Sequence, residues 1–130
     1  MKKIRVAATP RSISTGALRR LKQAEGSIAY VYDDGDGTWP KRRITSYATK
    51  GYPTIGVGHL ITAGERDRFR KYLNNQEMPE KEILALLRYD IGRFERAIRP
   101  KIKTEITQSM WDALILQAFN TGANTRAIRT

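Results

Sequence analysis

Gly51-Tyr52-Pro53-Thr54-Ile55-Gly56-Val57-Gly58-His59 is the stretch from which the rest of the chain can be read. Pro53 to Val57 has the composition of a strand, and Gly51, Gly56 and Gly58 crowd around it. Glycines this dense near a strand mark bulges or close backbone approach, as in a twisted hairpin corner or beside a ligand. Thr54 places a hydroxyl in that tight backbone. Working outward, Glu25-Gly26 and then Tyr32 and Asp34 precede it, so two carboxylates nine residues apart lead to a threonine. A carboxylic acid that gives a proton and a carboxylate that activates water are the groups needed to break a glycosidic bond.

The flanking elements follow from periodicity and punctuation. Ser14 or Thr15 can cap a first helix with Leu18, Leu21 and Glu25 on one face, and Gly26 is its stop. Glu25 then ends the helix on the side of its leucines, where partial desolvation would favour the protonated form and suit a proton donor; a solvated last-turn Glu is the plainer alternative. Residues 29–34 alternate like a half-buried strand with Tyr30, Tyr32 and Asp34 on one side, and Gly35-Asp36-Gly37 reads as a turn. Residues 44–48 are expected to form a second strand and 53–57 a third. Thr62 and Glu65 have capping-box spacing and predict a helix to Leu73, with Phe69, Tyr72 and Leu73 at helical spacing and Asn74-Asn75 as its end. Pro79 fits the first position of a long helix with the stripe Ile83, Leu87, Ile91, Phe94 and Ile98, closed by Pro100. Thr107 caps a last helix that turns Trp111, Leu114, Ile115, Ala118 and Phe119 inward and stops at Gly122. The class is α+β, with residues 1–62 as a helix and β-sheet lobe and 63–130 as a helical lobe. The length suits one domain, or two small lobes sharing a helix.

Composition sets outer bounds. A 40% hydrophobic content is enough for a core, and the absence of cysteine removes disulfide and thiolate chemistry. The basic start Met1-Lys2-Lys3 has no apolar run behind it, so no signal peptide is expected and synthesis is placed in the cytoplasm. Nothing approaches the roughly 20 apolar residues of a membrane span. The net charge of +11 seeks polyanions such as the anionic polymers of a bacterial envelope. Nucleic acid is not the expected partner, because no recognition motif is present and the aromatics do not interleave with the cations. Neither a metal nor a cofactor is expected.

Glu25-Gly26, Tyr32-x-Asp34 and the 51–59 string followed by Leu60-Ile61 resemble the phage-type, T4-like lysozymes, a muramidase family. The likeness continues through residues 79–90 and 113–122 and covers roughly 15–122. It implies a lysozyme-like fold and cleavage of peptidoglycan between N-acetylmuramic acid and N-acetylglucosamine. The family's acid falls on Glu25, its second carboxylate on Asp34 and its catalytic threonine on Thr54. Asp34 is preferred to Asp33, which alternation sends to the other face of the strand, and Asp36 is read as a turn residue. Inversion would follow if Asp34 and Thr54 hold a water opposite Glu25, with the carboxyls roughly 6.5–9.5 Å apart. His59 is read as a structural hydrogen-bonding group beside Gly56 and Gly58, in preference to a general base. Tyr32 is expected beneath the site, while Leu60, Phe119 and Asn120 fall where the family binds sugar. The amide of Asn120 suits N-acetyl groups, or simply the end of its helix.

The sequence departs from the family in two places. More than a dozen residues are inserted between Asp34 and Thr54, including Trp39 and Lys41-Arg42-Arg43, which would extend the hairpin toward anionic polymer or form a solvated loop. Beyond residues 123–130 the family continues with further helices. On that reading Trp111, Leu114 and Phe119 lack cover and invite a partner chain. Two functions follow. One is a peptidoglycan hydrolase delivered through a holin pore or on a phage tail. The other is a non-catalytic basic module of a phage particle that keeps the lysozyme framework.

Overall fold

A computed structural model describes residues 12–122, so the basic N-terminal start and residues 123–130 lie outside the described residues. The chain is α+β, and its described residues group into two compact units, one of residues 22–87 and one of residues 12–21 with 88–122. The boundary expected at residue 62 does not coincide with this grouping, because residues 63–87 belong with the sheet.

In the first unit the sheet has the order β1-β2-β3, with β1 (Ile28–Asp33), β2 (Pro53–Gly56) and β3 (His59–Leu60) antiparallel. Ile28 opposes Gly56 and Tyr32 opposes Thr54, so β1 uses four steps where β2 uses two, and the bulge breaks the expected alternation. Val31 and Tyr32 are consecutive and both buried. Asp34 is therefore not on the inward side of a strand. β1 ends at Asp33, and Asp34 opens the turn. Gly56 and Gly58 adopt φ of +70° and +71°, the left-handed region that lets β2 reverse into β3 within two residues. This return is the twisted hairpin corner that the dense glycines allow.

The strand expected over residues 44–48 does not form. Arg43 makes one isolated bridge to Tyr32 and the Ile44 N–H donates to the Val31 carbonyl at 3.0 Å. The chain then leaves the sheet, and the Tyr47 hydroxyl donates to the Arg66 carbonyl at 2.6 Å instead. The helix expected to reach Leu73 is also divided. Residues 63–65 and 70–73 are 3₁₀ turns around the single turn α2 (Arg66–Phe69), although Phe69, Tyr72 and Leu73 are buried as their spacing predicts. The start has the expected reciprocal partners, with the Thr62 N–H and hydroxyl both directed at the Glu65 carboxylate. Within this unit the first turns of α3 (Glu80–Ile98) meet the sheet, and Ile83 and Leu86 stand against Gly56. Pro79 lies one position earlier than expected, capping α3 with a carbonyl that accepts from Glu82 and Ile83.

In the second unit, α1 (Thr15–Glu25) begins where Ser14 accepts the Ala17 N–H, and α4 (Gln108–Gly122) where Thr107 accepts that of Met110. Two buried carboxylates organise this unit. Glu95 accepts from the Ile13 N–H at 2.7 Å and the Trp111 indole N–H at 3.1 Å. Asp112 accepts from the Ser14 N–H, the Ser14 hydroxyl and the Gln108 amide. The expectation that Trp111 lacks cover is thus corrected. It is fully buried, with Glu95 on its N–H and the Arg99 guanidinium 5.4 Å from its ring. Leu114 is 39% exposed, while Phe119 packs edge-on to Phe94 at 5.6 Å. Among the described residues, no helix is long and apolar enough to cross a membrane.

Candidate active site

Glu25, Asp34 and Thr54 all belong to the unit of residues 22–87. Glu25 is the last residue of α1 and is exposed, contrary to the partial desolvation expected from its leucine neighbours. The reason is local. Gly26 follows at φ +81° and its N–H closes the helix on the Lys22 carbonyl, so the final turn ends in solvent.

Asp34 and Thr54 are joined through the backbone of one residue, Tyr52. The Asp34 carboxylate accepts the Tyr52 N–H at 2.6 Å. The Tyr52 carbonyl in turn accepts the Asp34 N–H at 3.0 Å and the Thr54 hydroxyl at 2.8 Å. Thr54 is only 2% exposed, whereas Tyr52 is 63% exposed. Tyr32 pairs with Thr54 across the sheet, and burial first, with the Asp34 charge second, pushes its phenol above the usual tyrosine range. Leu60, opposite Thr54 on the other side, is 41% exposed.

Asp33 has a different environment from Asp34. Its carboxylate gathers the N–H groups of Gly35 (2.8 Å), Lys50 (2.8 Å) and Gly51 (2.9 Å), and these bonds hold it below the usual carboxylate range. It is a clasp that brings both ends of the insertion together. Asp36 sits in the turn, where the N–H and hydroxyl of Thr38, then Arg42, lower it further.

His59 is buried, with Nε2 3.0 Å from Glu65 and its ring 5.6 Å from Phe69. Partial burial raises the Glu65 carboxyl, but the Thr62 N–H and His59 outweigh it and the net shift is downward. Phe119 and the exposed Asn120 lie on α4 in the other unit. Among the described residues, no three His, Cys, Asp or Glu side chains gather to hold a metal ion.

Sequence reading missed Tyr52, whose backbone links the site, and Gly51. A Cβ on Gly51 would lie 2.1 Å from Asp34 Oδ1 and 2.7 Å from the Gly35 nitrogen. The glycine itself was visible, but its partners lie sixteen and seventeen positions upstream. Arg43 was missed as an anchor. It stacks 4.8 Å over Tyr30 and donates to the carbonyls of Tyr72 and Gln76. The segment of residues 35–50 is therefore fastened to the unit at Arg43 and does not extend the hairpin, while most of its residues, Trp39 among them, stay exposed.

A sequence model of the phage lysozyme family matches residues 22–129. The chain belongs to the phage lysozyme family. It is 29% identical over 110 residues to the endolysin of Salmonella phage P22, an alignment that takes in 85% of this chain and 63% of that protein. The crystal structure of a P22 lysozyme mutant superposes with a TM-score of 0.63 at 25% identity, covering 91% of this chain and 68% of the other. The sheet and helices described above thus form a lysozyme-like α+β fold. The alignment spans less than two thirds of the length of the P22 endolysin.

Proposed function

We propose that this phage lysozyme family member hydrolyses peptidoglycan at the bond between N-acetylmuramic acid and N-acetylglucosamine. The observation that carries this reading is the Asp34–Tyr52–Thr54 network, which holds a carboxylate at an exposed turn and leaves it open to a water. Glu25, exposed at the end of α1, gives its proton to the leaving glycosidic oxygen as positive charge develops on the sugar. Asp34 takes a proton from the attacking water. The buried Thr54 hydroxyl donates to the Tyr52 carbonyl, which also accepts the Asp34 N–H, and so steadies the backbone of the residue whose N–H holds the Asp34 carboxylate. Attack opposite Glu25 inverts the anomeric carbon. Leu60 beside Thr54, with Tyr32 beneath, supplies apolar surface to the sugar. Phe119 and Asn120 are assigned to sugar binding from the family likeness alone.

The test is clearing of a suspension of purified peptidoglycan by the parent chain, with Glu25→Gln as control. Clearing by the parent and its loss in the variant support the hydrolase. A folded parent that leaves turbidity unchanged overturns it and favours the non-catalytic basic module. Proton NMR of the first-formed reducing end then reads the stereochemistry, and retention of the anomeric configuration would sink the inverting mechanism.

A further inference from the structure

The segment of residues 35–50 borders an open pocket of about 840 Å³ lined by Asp33, Gly35, Asp36, Arg42, Arg43 and Lys50 among others. Its two carboxylates already have partners. Asp33 is taken up by three backbone N–H groups, and Asp36 by Thr38 and Arg42. Its cations keep donors to spare. The Lys50 ammonium has no ion pair among the described residues, the Arg42 side chain is 77% exposed and reaches Asp36 only at 3.4 Å, and Arg43 has one Nη on carbonyls. A polar pocket in which the acids are satisfied and the bases are not is complementary to an anion.

Its position narrows the choice of anion. Asp33 and Gly35 flank Asp34 in the chain, and Lys50 lies two residues before Tyr52, whose N–H holds the Asp34 carboxylate. Consecutive Cα atoms are about 3.8 Å apart, so the pocket wall begins one residue from the proposed base. A substrate group seated there would be within reach of the sugar at the bond being cut. In peptidoglycan that group is the stem peptide, attached through the lactyl ether of N-acetylmuramic acid and bearing several carboxylates.

We infer that the pocket bordered by this segment is a subsite for the carboxylates of the peptidoglycan stem peptide, with Arg42 and Lys50 as its principal contacts. The inference rests on the proposed hydrolase reading for its placement, but the binding event can be measured without hydrolysis.

Two experiments test it. In the first, an isolated stem tetrapeptide is titrated into the ¹⁵N-labelled chain. Shifts concentrated on the amides of Gly35, Arg42, Lys50 and Gly51, weakened in Arg42→Gln/Lys50→Gln, support the subsite even if the chain clears no peptidoglycan. Shifts absent or scattered over the basic surface overturn it. Inorganic phosphate and a wall teichoic acid are titrated in parallel, and binding of either to the same amides at concentrations where the peptide does not bind assigns the pocket to phosphate polymers and overturns the proposal. In the second, kcat/KM is compared on intact glycan strands and on strands stripped of peptide by an amidase. Exposed charge pairs are each worth up to about fivefold, so the intact-to-stripped ratio should fall roughly five- to tenfold in the double variant. It should fall further in Lys50→Glu. An unchanged ratio, with the variants folded, refutes the role.

Discussion

Replacing Gly51 with alanine is the sharpest test of the site, because the structure supplies both the clash and its controls. The added Cβ would stand 2.1 Å from Asp34 Oδ1, 2.7 Å from the Gly35 nitrogen and 3.1 Å from Asp33 Oδ1. The first contact can be relieved by turning the Asp34 side chain away from the Tyr52 N–H. That forfeits a charge-assisted hydrogen bond worth about 1.5–3 kcal/mol. The second is with backbone, and relieving it opens the clasp made by Asp33, for an overpacking cost of about 1–3 kcal/mol. A combined loss of about 2.5–6 kcal/mol should lower a urea unfolding midpoint by roughly 1–3 M at a slope of about 2 kcal/mol/M. Peptidoglycan clearing, measured where the variant is still folded, should fall by about 100-fold, the scale set by an ångström of misplacement. Gly37→Ala is the control, since nothing lies within 4 Å of its Cβ position, and it should stay within about 0.5 kcal/mol of the parent. In an Asp34→Ala background the stability cost of Gly51→Ala should shrink, because the nearest clash is gone while that with Gly35 remains. A Gly51→Ala chain with parental midpoint and parental clearing would refute the geometry.

Thr54→Val removes the hydroxyl bonded to the Tyr52 carbonyl and should cut clearing by roughly 10–100-fold, whereas Thr54→Ser should retain most of it. Equal loss in both would show that shape and not the hydroxyl matters. Glu95→Leu strands the Ile13 N–H and the Trp111 indole N–H in a buried setting, and should cost about 2–4 kcal/mol in a denaturant melt. Acid should loosen the insertion. Asp33 has a lowered pKa in the folded chain, so its contribution is complete above the unfolded value near 4 and is lost as pH falls through the lower folded value. Asp33→Asn should therefore flatten the decline of the thermal midpoint below about pH 4, and an unchanged acid slope would exclude Asp33 as a source of it.

The parts of the fold legible from sequence are those decided within one or two turns of chain. Ser14, Thr107 and the Thr62–Glu65 pair cap their elements through neighbours three residues away, and the stripe from Ile83 to Phe94 is buried as its period requires. Periodicity failed where hydrogen bonds, not side chains, set the outcome. Residues 44–48 have strand-like composition, but only Arg43 and Ile44 find a partner on β1 before the chain turns away. The bulge between Ile28 and Tyr32 breaks the alternation, which counts residues and cannot register unpaired ones, and β1 ends at Asp33, one residue before Asp34. The candidate residue types Glu25, Asp34 and Thr54 could be picked out in the sequence. The link between Asp34 and Thr54 could not, because it runs through the backbone of Tyr52, which any residue but proline could provide.

The clasp also accounts for how the sheet carries so long a segment beside Asp34. Residues 35–50 leave and return at one point, where the Gly35 and Gly51 backbones touch and Asp33 binds the N–H groups on both sides. A loop whose ends already meet costs little to lengthen, since each doubling adds only about 0.6 kcal/mol of closure entropy. Its interior then supplies anchors of its own. Tyr30 donates to the Lys41 carbonyl, Arg43 to those of Tyr72 and Gln76, and the Lys41 ammonium to that of Asp36. Glycine at 51 is the condition for this arrangement, because a side chain there would separate the two ends and displace Asp34 together. Insulating the Asp34–Tyr52–Thr54 network from the insertion and attaching the insertion beside Asp34 are thus two consequences of one contact, which leaves the loop free to acquire a binding role without disturbing the carboxylate.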